Sequence, residues 1–98
     1  MDQHTHIERL TEDRLIYSGP CVLYVVNASL MAAQHHIEIY DGMDLVSGML
    51  VQRIEVAAMS IIPLIFFPGA EFTRGLYIHI SDAGDYCTIV WGTLHEPH

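Results

Sequence analysis

Ninety-eight residues, 51% of them hydrophobic and 16% charged, make one small domain whose apolar content is too high for a disordered chain. Twelve Asp and Glu against four Lys and Arg give a formal charge of −8 with no basic run, which disfavours a surface built to neutralise nucleic-acid phosphates. The longest apolar run, Ile61 to Phe67, is interrupted by Pro63 and is far too short to cross a bilayer as a helix. So small a chain has a high surface-to-volume ratio, so part of its apolar area is expected to lie outside its own core and to meet another protein surface. A homo-oligomer or a docked subunit is expected rather than a free monomer.

From the N-terminus, Met1 to Arg9 is polar and mixed in charge, without the basic start and apolar stretch of a secretory signal, so the chain is expected in a cytosol. Residues 1–13 show no sustained alternation and are expected to form an N-terminal arm, with Ile7 and Leu10 placed to pin it to a neighbour. Arg14 to Tyr17 is a short strand closed by Ser18-Gly19-Pro20. Cys21 to Asn27 is apolar at nearly every position, which suits a strand covered on both faces or one whose outer face meets a partner. Ala28 to Ala33 has helical propensity but is too short for a helix, and a loop or single turn is expected there.

Gln34 to Tyr40 alternates, with Ile37 and Ile39 inward and His36, Glu38 and Tyr40 outward, and Asp41-Gly42 ends it. Met49 to Val56 is the next strand, with Ile54 and Val56 opposed by Arg53 and Glu55. In Ser60 to Phe67, Pro63 cannot donate to a ladder, so this strand is an edge or is broken at that residue. Glu71 to Arg74 is a brief strand or an extended link. Gly75 to Ser81 puts Leu76, Ile78 and Ile80 on one face, Asp82-Ala83-Gly84-Asp85 turns the chain, and Tyr86 to Trp91 runs back, so the pair is expected to form an antiparallel hairpin. Leu94 is expected to add one more pairing before a C-terminal tail at 95–98.

Seven or eight short strands, regular turn signals and no convincing helix point to an all-β domain over residues 14–94, a single antiparallel two-sheet β-sandwich of jelly-roll type. Cys21 and Cys87 fall on predicted strands that could face each other. Nothing in a cytosolic setting calls for a bond between them, and buried reduced thiols are the expectation.

Chemistry is sparse. His36, Glu38 and His79 sit on predicted outward faces and invite a metal hypothesis, but a cupin would show His-x-His followed by Glu and a later third His, whereas His35 and His36 are adjacent and diverge to opposite faces. No metal or other cofactor is expected. Ser18, Ser47, Ser60 and Ser81 lie in turns or at strand starts, none in a nucleophile elbow, and both cysteines are flanked by apolar residues that make a thiol inert. Asp82 and Asp85 bracket a turn, where Asp is favoured because its side chain bonds nearby backbone amides. No enzymatic activity is expected. Asp82-Ala83-Gly84-Asp85-Tyr86 approaches the tyrosine corner of immunoglobulin domains, but Cys87 follows one residue too early and no Trp lies between the cysteines.

Three segments in order, Ile37-Glu38-Ile39-Tyr40-Asp41-Gly42, Phe72-Thr73-Arg74-Gly75-Leu76-Tyr77-Ile78 and Thr88-Ile89-Val90-Trp91, resemble small β-sandwich virion proteins of tailed bacteriophages, over roughly residues 14–94. The Met and His content and the segment Leu30-Met31-Ala32-Ala33 depart from the Gly-, Thr- and Asn-rich loops of that group. The resemblance implies a structural subunit of the virion, assembled in the host cytoplasm, with other virion proteins, either the major capsid protein or tail proteins, as partners. A capsid decoration or cement subunit that stabilises the head shell is the expected role, with a tail, fibre or head-tail adaptor component as the structural alternative. Ile7, Leu10, Tyr40, Tyr77 and Leu94 are the expected interface residues. A carbohydrate- or host-receptor-binding module would instead use Tyr40, Tyr77 and Trp91 as stacking platforms, which requires them to form one exposed strip.

Overall fold

The computed structural model describes residues 5–93, which form eight strands in two four-stranded antiparallel sheets. The strands are β1 (Thr5–Leu10), β2 (Arg14–Ser18), β3 (Cys21–Leu30), β4 (His36–Asp41), β5 (Met49–Glu55), β6 (Ser60–Phe72), β7 (Gly75–Ile80) and β8 (Tyr86–Thr93). The first sheet has the order β1-β8-β3-β6 and the second β2-β7-β4-β5. Six of the seven connections therefore cross between sheets and only β4-β5 is a hairpin, which is the jelly-roll way of wrapping one chain around one core.

The alternating strands bury the side chains that their period selects. Ile37, Ile39, Leu76 and Ile78 of the second sheet meet Leu23, Val26, Ala28, Cys87 and Ile89 of the first, all with no exposed surface. Tyr40 and Glu38 are thereby turned outward. Pro63 lies in β6, which pairs only with β3, so the strand is an edge and runs unbroken to Phe72.

Several expectations are corrected. β7 and β8 do not form a hairpin, because β7 lies between β2 and β4 while β8 lies between β1 and β3. The turn at Asp82–Asp85 steps between sheets, a distance of about 10 Å that a few extended residues span easily. β3 continues through Leu30, since Ala28, Ser29 and Leu30 each find partners on β6. Glu71-Phe72 belongs to the end of β6 rather than to a separate strand.

The expected arm at 1–13 contains β1, paired with β8 from Thr5↔Gly92 to Leu10↔Cys87. Leu10 is buried in the core and is not a contact for a neighbour. The alternation is hidden because the inward positions His6 and Glu8 are polar and serve Trp91. The His6 ring stacks on the indole at 4.5 Å, and Trp91 Nε1 donates to Glu8 Oε2 at 2.9 Å. Leu94 and the tail at 95–98 lie outside the described residues.

Candidate interaction surface

The outer face of the first sheet is built from the positions that the core rejects. Ile7 opposes Val90, Val90 opposes Val25, and Val25 opposes Ile65, so one aliphatic side chain from each of the four strands forms a continuous row across the sheet. Ile7 and Ile65 are 73% and 68% exposed. Ile61 on the same face of β6 is also 68% exposed, and Phe67 is 94% exposed. Phe67 projects because residues 66–69 have no partner on β3, whose register moves from Val25↔Ile65 to Leu23↔Ala70. Gly69 closes this bulge against Val22, where a Cβ would stand 2.6 Å from Cγ1.

Two features make the surface unusual. Ile7, Ile61, Ile65 and Phe67 together leave on the order of 600 Å² in water, the scale at which an apolar patch marks a contact. The chain from Val56 to Ala70 contains no charged residue although the molecule carries −8. The inward side of β6 is also incompletely covered, with Ile62, Leu64 and Phe66 only partly buried. Met49, Leu50 and Val51 on β5, one of the two edge strands of the other sheet, are exposed as well.

The outer face of the second sheet is mixed: Leu15, Tyr77, Tyr40 and Leu50 stand in register across its four strands, and a polar group lies beside them. Tyr40 and Tyr77 are direct partners on β4 and β7, and Glu38 is the partner of both His79 on β7 and Arg53 on β5. Tyr40 donates to Glu38 Oε1 at 2.8 Å, a bond that raises its phenol above the usual range ahead of the effect of burial. Arg53 spans Glu38 and Glu55, with N–O distances of 3.0 and 2.8 Å. His36 joins this face two residues from Glu38, so that His36, Glu38 and His79 each offer a ligand atom within 4.8 Å of the others. The sequence placed these three outward but gave no reason to expect β4 beside β7.

His35 goes the other way, as adjacency requires. Its Nδ1 stands 3.1 Å from Asp85 Oδ1 and 3.0 Å from Oδ2, and its Nε2 3.6 Å from Asp82 Oδ2. Asp85 is 1% exposed and accepts from the Met31 amide, so its side chain ties distant loops rather than the nearby turn. A polar Asp at a turn carries no sequence signal for such burial.

Of the expected interface residues, Ile7 lies on the apolar row of the first sheet, while Tyr40 and Tyr77 lie between Leu15 and Leu50 on the outer face of the second. Trp91 is 4% exposed on the inner side, so it does not form a strip with the two tyrosines. Sequence reasoning missed Ile61, Ile65 and Phe67 as surface groups. Their signal was the charge-free run through an edge strand. Among the described residues no helix is long and apolar enough to cross a membrane. Compared with protein-family models, curated proteins and solved structures, the chain matches none.

Proposed function

We propose that this chain is a non-enzymatic structural subunit that docks on other protein subunits through the outer face of its first sheet, in a virion as a decoration or cement protein of the head shell. The observation that carries the docking reading is the uncharged row Ile7, Val90, Val25 and Ile65 with Phe67 beside it. An acidic molecule is kept soluble and apart by its own charge, so adhesion belongs where charge is missing. The virion setting is supported by the resemblance of the three segments ending in Tyr40-Asp41-Gly42, Tyr77-Ile78 and Trp91. Copies of the chain bound to adjacent shell subunits would stiffen the lattice by burying this face.

The test is to compare virions assembled with the native chain and with an Ile65→Lys, Phe67→Asp double variant. Native protein is expected on the head surface by electron microscopy, and the variant, folded by circular dichroism, is expected to be lost from it. Density on the tail would move the role to a tail or adaptor component. Undiminished incorporation of the variant would reject the face.

A further inference from the structure

We propose that His36, Glu38 and His79 form a binding site for a first-row divalent transition-metal ion, of which Zn²⁺ is the natural probe. Two imidazoles and one carboxylate are the donor set that such ions prefer, and three protein ligands leave a fourth position open. The ligands come from two adjoining strands of one sheet. Glu38 and His79 are direct partners, and His36 is two residues along the same face of β4, so the backbone fixes their spacing before any ion arrives. Their ligand atoms lie within 4.8 Å of one another. Ligand edges around a tetrahedral ion with bonds of ~2.1 Å are ~3.4 Å, so small side-chain rotations close the site. All three residues are half-buried, which limits competition from water without sealing the entrance.

The surroundings are those of a metal site. Asp13 Oδ1 is anchored by the Ile80 amide at 2.9 Å, and its Oδ2 lies 2.8 Å from His79 Nδ1. A carboxylate can only accept, so His79 holds its proton on Nδ1 and presents the Nε2 lone pair, the arrangement that orients metal-binding histidines. The Gln34 carbonyl, 3.3 Å from His36 Nδ1, can do the same for the second imidazole. Arg53 Nη2 stands 3.4 Å from the same nitrogen and can only donate to it, so the Gln34 contact holds when Nδ1 carries the proton; Arg53 also donates to Glu38 Oε2 at 3.0 Å and must swing toward Glu55 when an ion enters. Counting Asp13, Glu38 and Glu55 against Arg53, the formal charge of the immediate neighbourhood is −2, which suits a dication. The cluster at His35, Asp82 and Asp85 differs, because there one imidazole already stands between the two carboxylates.

Calorimetry with Zn²⁺ on untagged protein, together with Co²⁺ absorption, tests the site. One ion per chain is expected, with a Co²⁺ spectrum of nitrogen and oxygen ligation. His79→Ala and Glu38→Gln are expected to weaken binding at least tenfold. Asp13→Asn, which removes the carboxylate that holds His79 together with one local negative charge, is expected to weaken it 10- to 100-fold. Far-UV circular dichroism on each variant checks that the fold is intact, and His4→Ala with His6→Ala controls for the N-terminal histidines. Absence of binding, or binding that survives His79→Ala and Glu38→Gln, overturns the proposal.

Discussion

Asp85 reaches across one end of the sandwich to Met31, its Oδ1 accepting from an amide 54 residues earlier in the chain at 2.9 Å. That bond joins the β7-β8 connection to the first residue after β3, and His35, the last residue before β4, closes on the same carboxylate. Two inter-sheet crossings, β3-β4 and β7-β8, are thus gathered on one buried side chain. Replacing Asp85 by Ala leaves the Met31 amide without its partner and is expected to cost about 2–3 kcal/mol in urea unfolding. A loss below about 0.5 kcal/mol would show that the staple is dispensable.

Asp41 gathers the opposite end. Its carboxylate accepts from the amides of Thr73, Arg74 and Gly75 and from the Thr73 hydroxyl. Burial alone would raise its pKa, but the Arg74, Thr73 and Gly75 bonds outweigh it and hold the carboxyl below the usual range. With the folded value below the unfolded one of about 3.9, the contribution is present above that pH and is lost as pH falls through the folded value. Asp41→Asn is expected to cost about 1 kcal/mol near neutrality, the group being only partly buried, and to flatten the acid limb of stability. An acid limb identical in the two proteins would remove Asp41 from the account.

Cys21 and Cys87 are free and buried. Burial, with the Asp41 charge adding to it, pushes the Cys21 thiol up to about 11, and burial pushes Cys87 up to about 12. Native protein is therefore expected to resist alkylation by iodoacetamide at pH 8, with both thiols reacting only in denaturant. Because the folded values exceed the unfolded ~8.5, the neutral thiols contribute stability that is fully present below that pH and declines as pH rises toward the folded values. Rapid modification of either thiol in the folded protein would contradict their placement.

Leu10 and Trp91 tie β1 to the core. Leu10→Ala is expected to cost about 2–4 kcal/mol. Deleting residues 1–10 should uncover the indole, shift its emission to the red and lower the unfolding midpoint. Trp91 is the sole Trp of the chain, so the fluorescence reads this edge directly. A truncated protein with native stability would mean that β1 is an accessory.

The faces were legible where alternation was strong. Ile37 and Ile39, or Leu76, Ile78 and Ile80, announce their inward side because a strand has only two sides and water selects one. In β1 the inward His6 and Glu8 conceal it, since their partner is an indole that needs a hydrogen bond rather than another aliphatic group. The site residues were legible one at a time, and His36, Glu38 and His79 were each placed outward. Their convergence depends on β4 lying beside β7, which no local pattern encodes.

By itself, then, the sequence determined an all-β chain, the core-facing side of most strands, and at Pro63 a choice between an edge strand and a broken one, because these follow from local sterics and burial. Only the tertiary structure decided that β7 and β8 belong to different sheets, that the polar N-terminal stretch supplies β1, and that Ile7, Val90, Val25 and Ile65 line up. The reason is physical: strand pairing is a long-range choice among similar backbone ladders, settled by which whole arrangement covers the core.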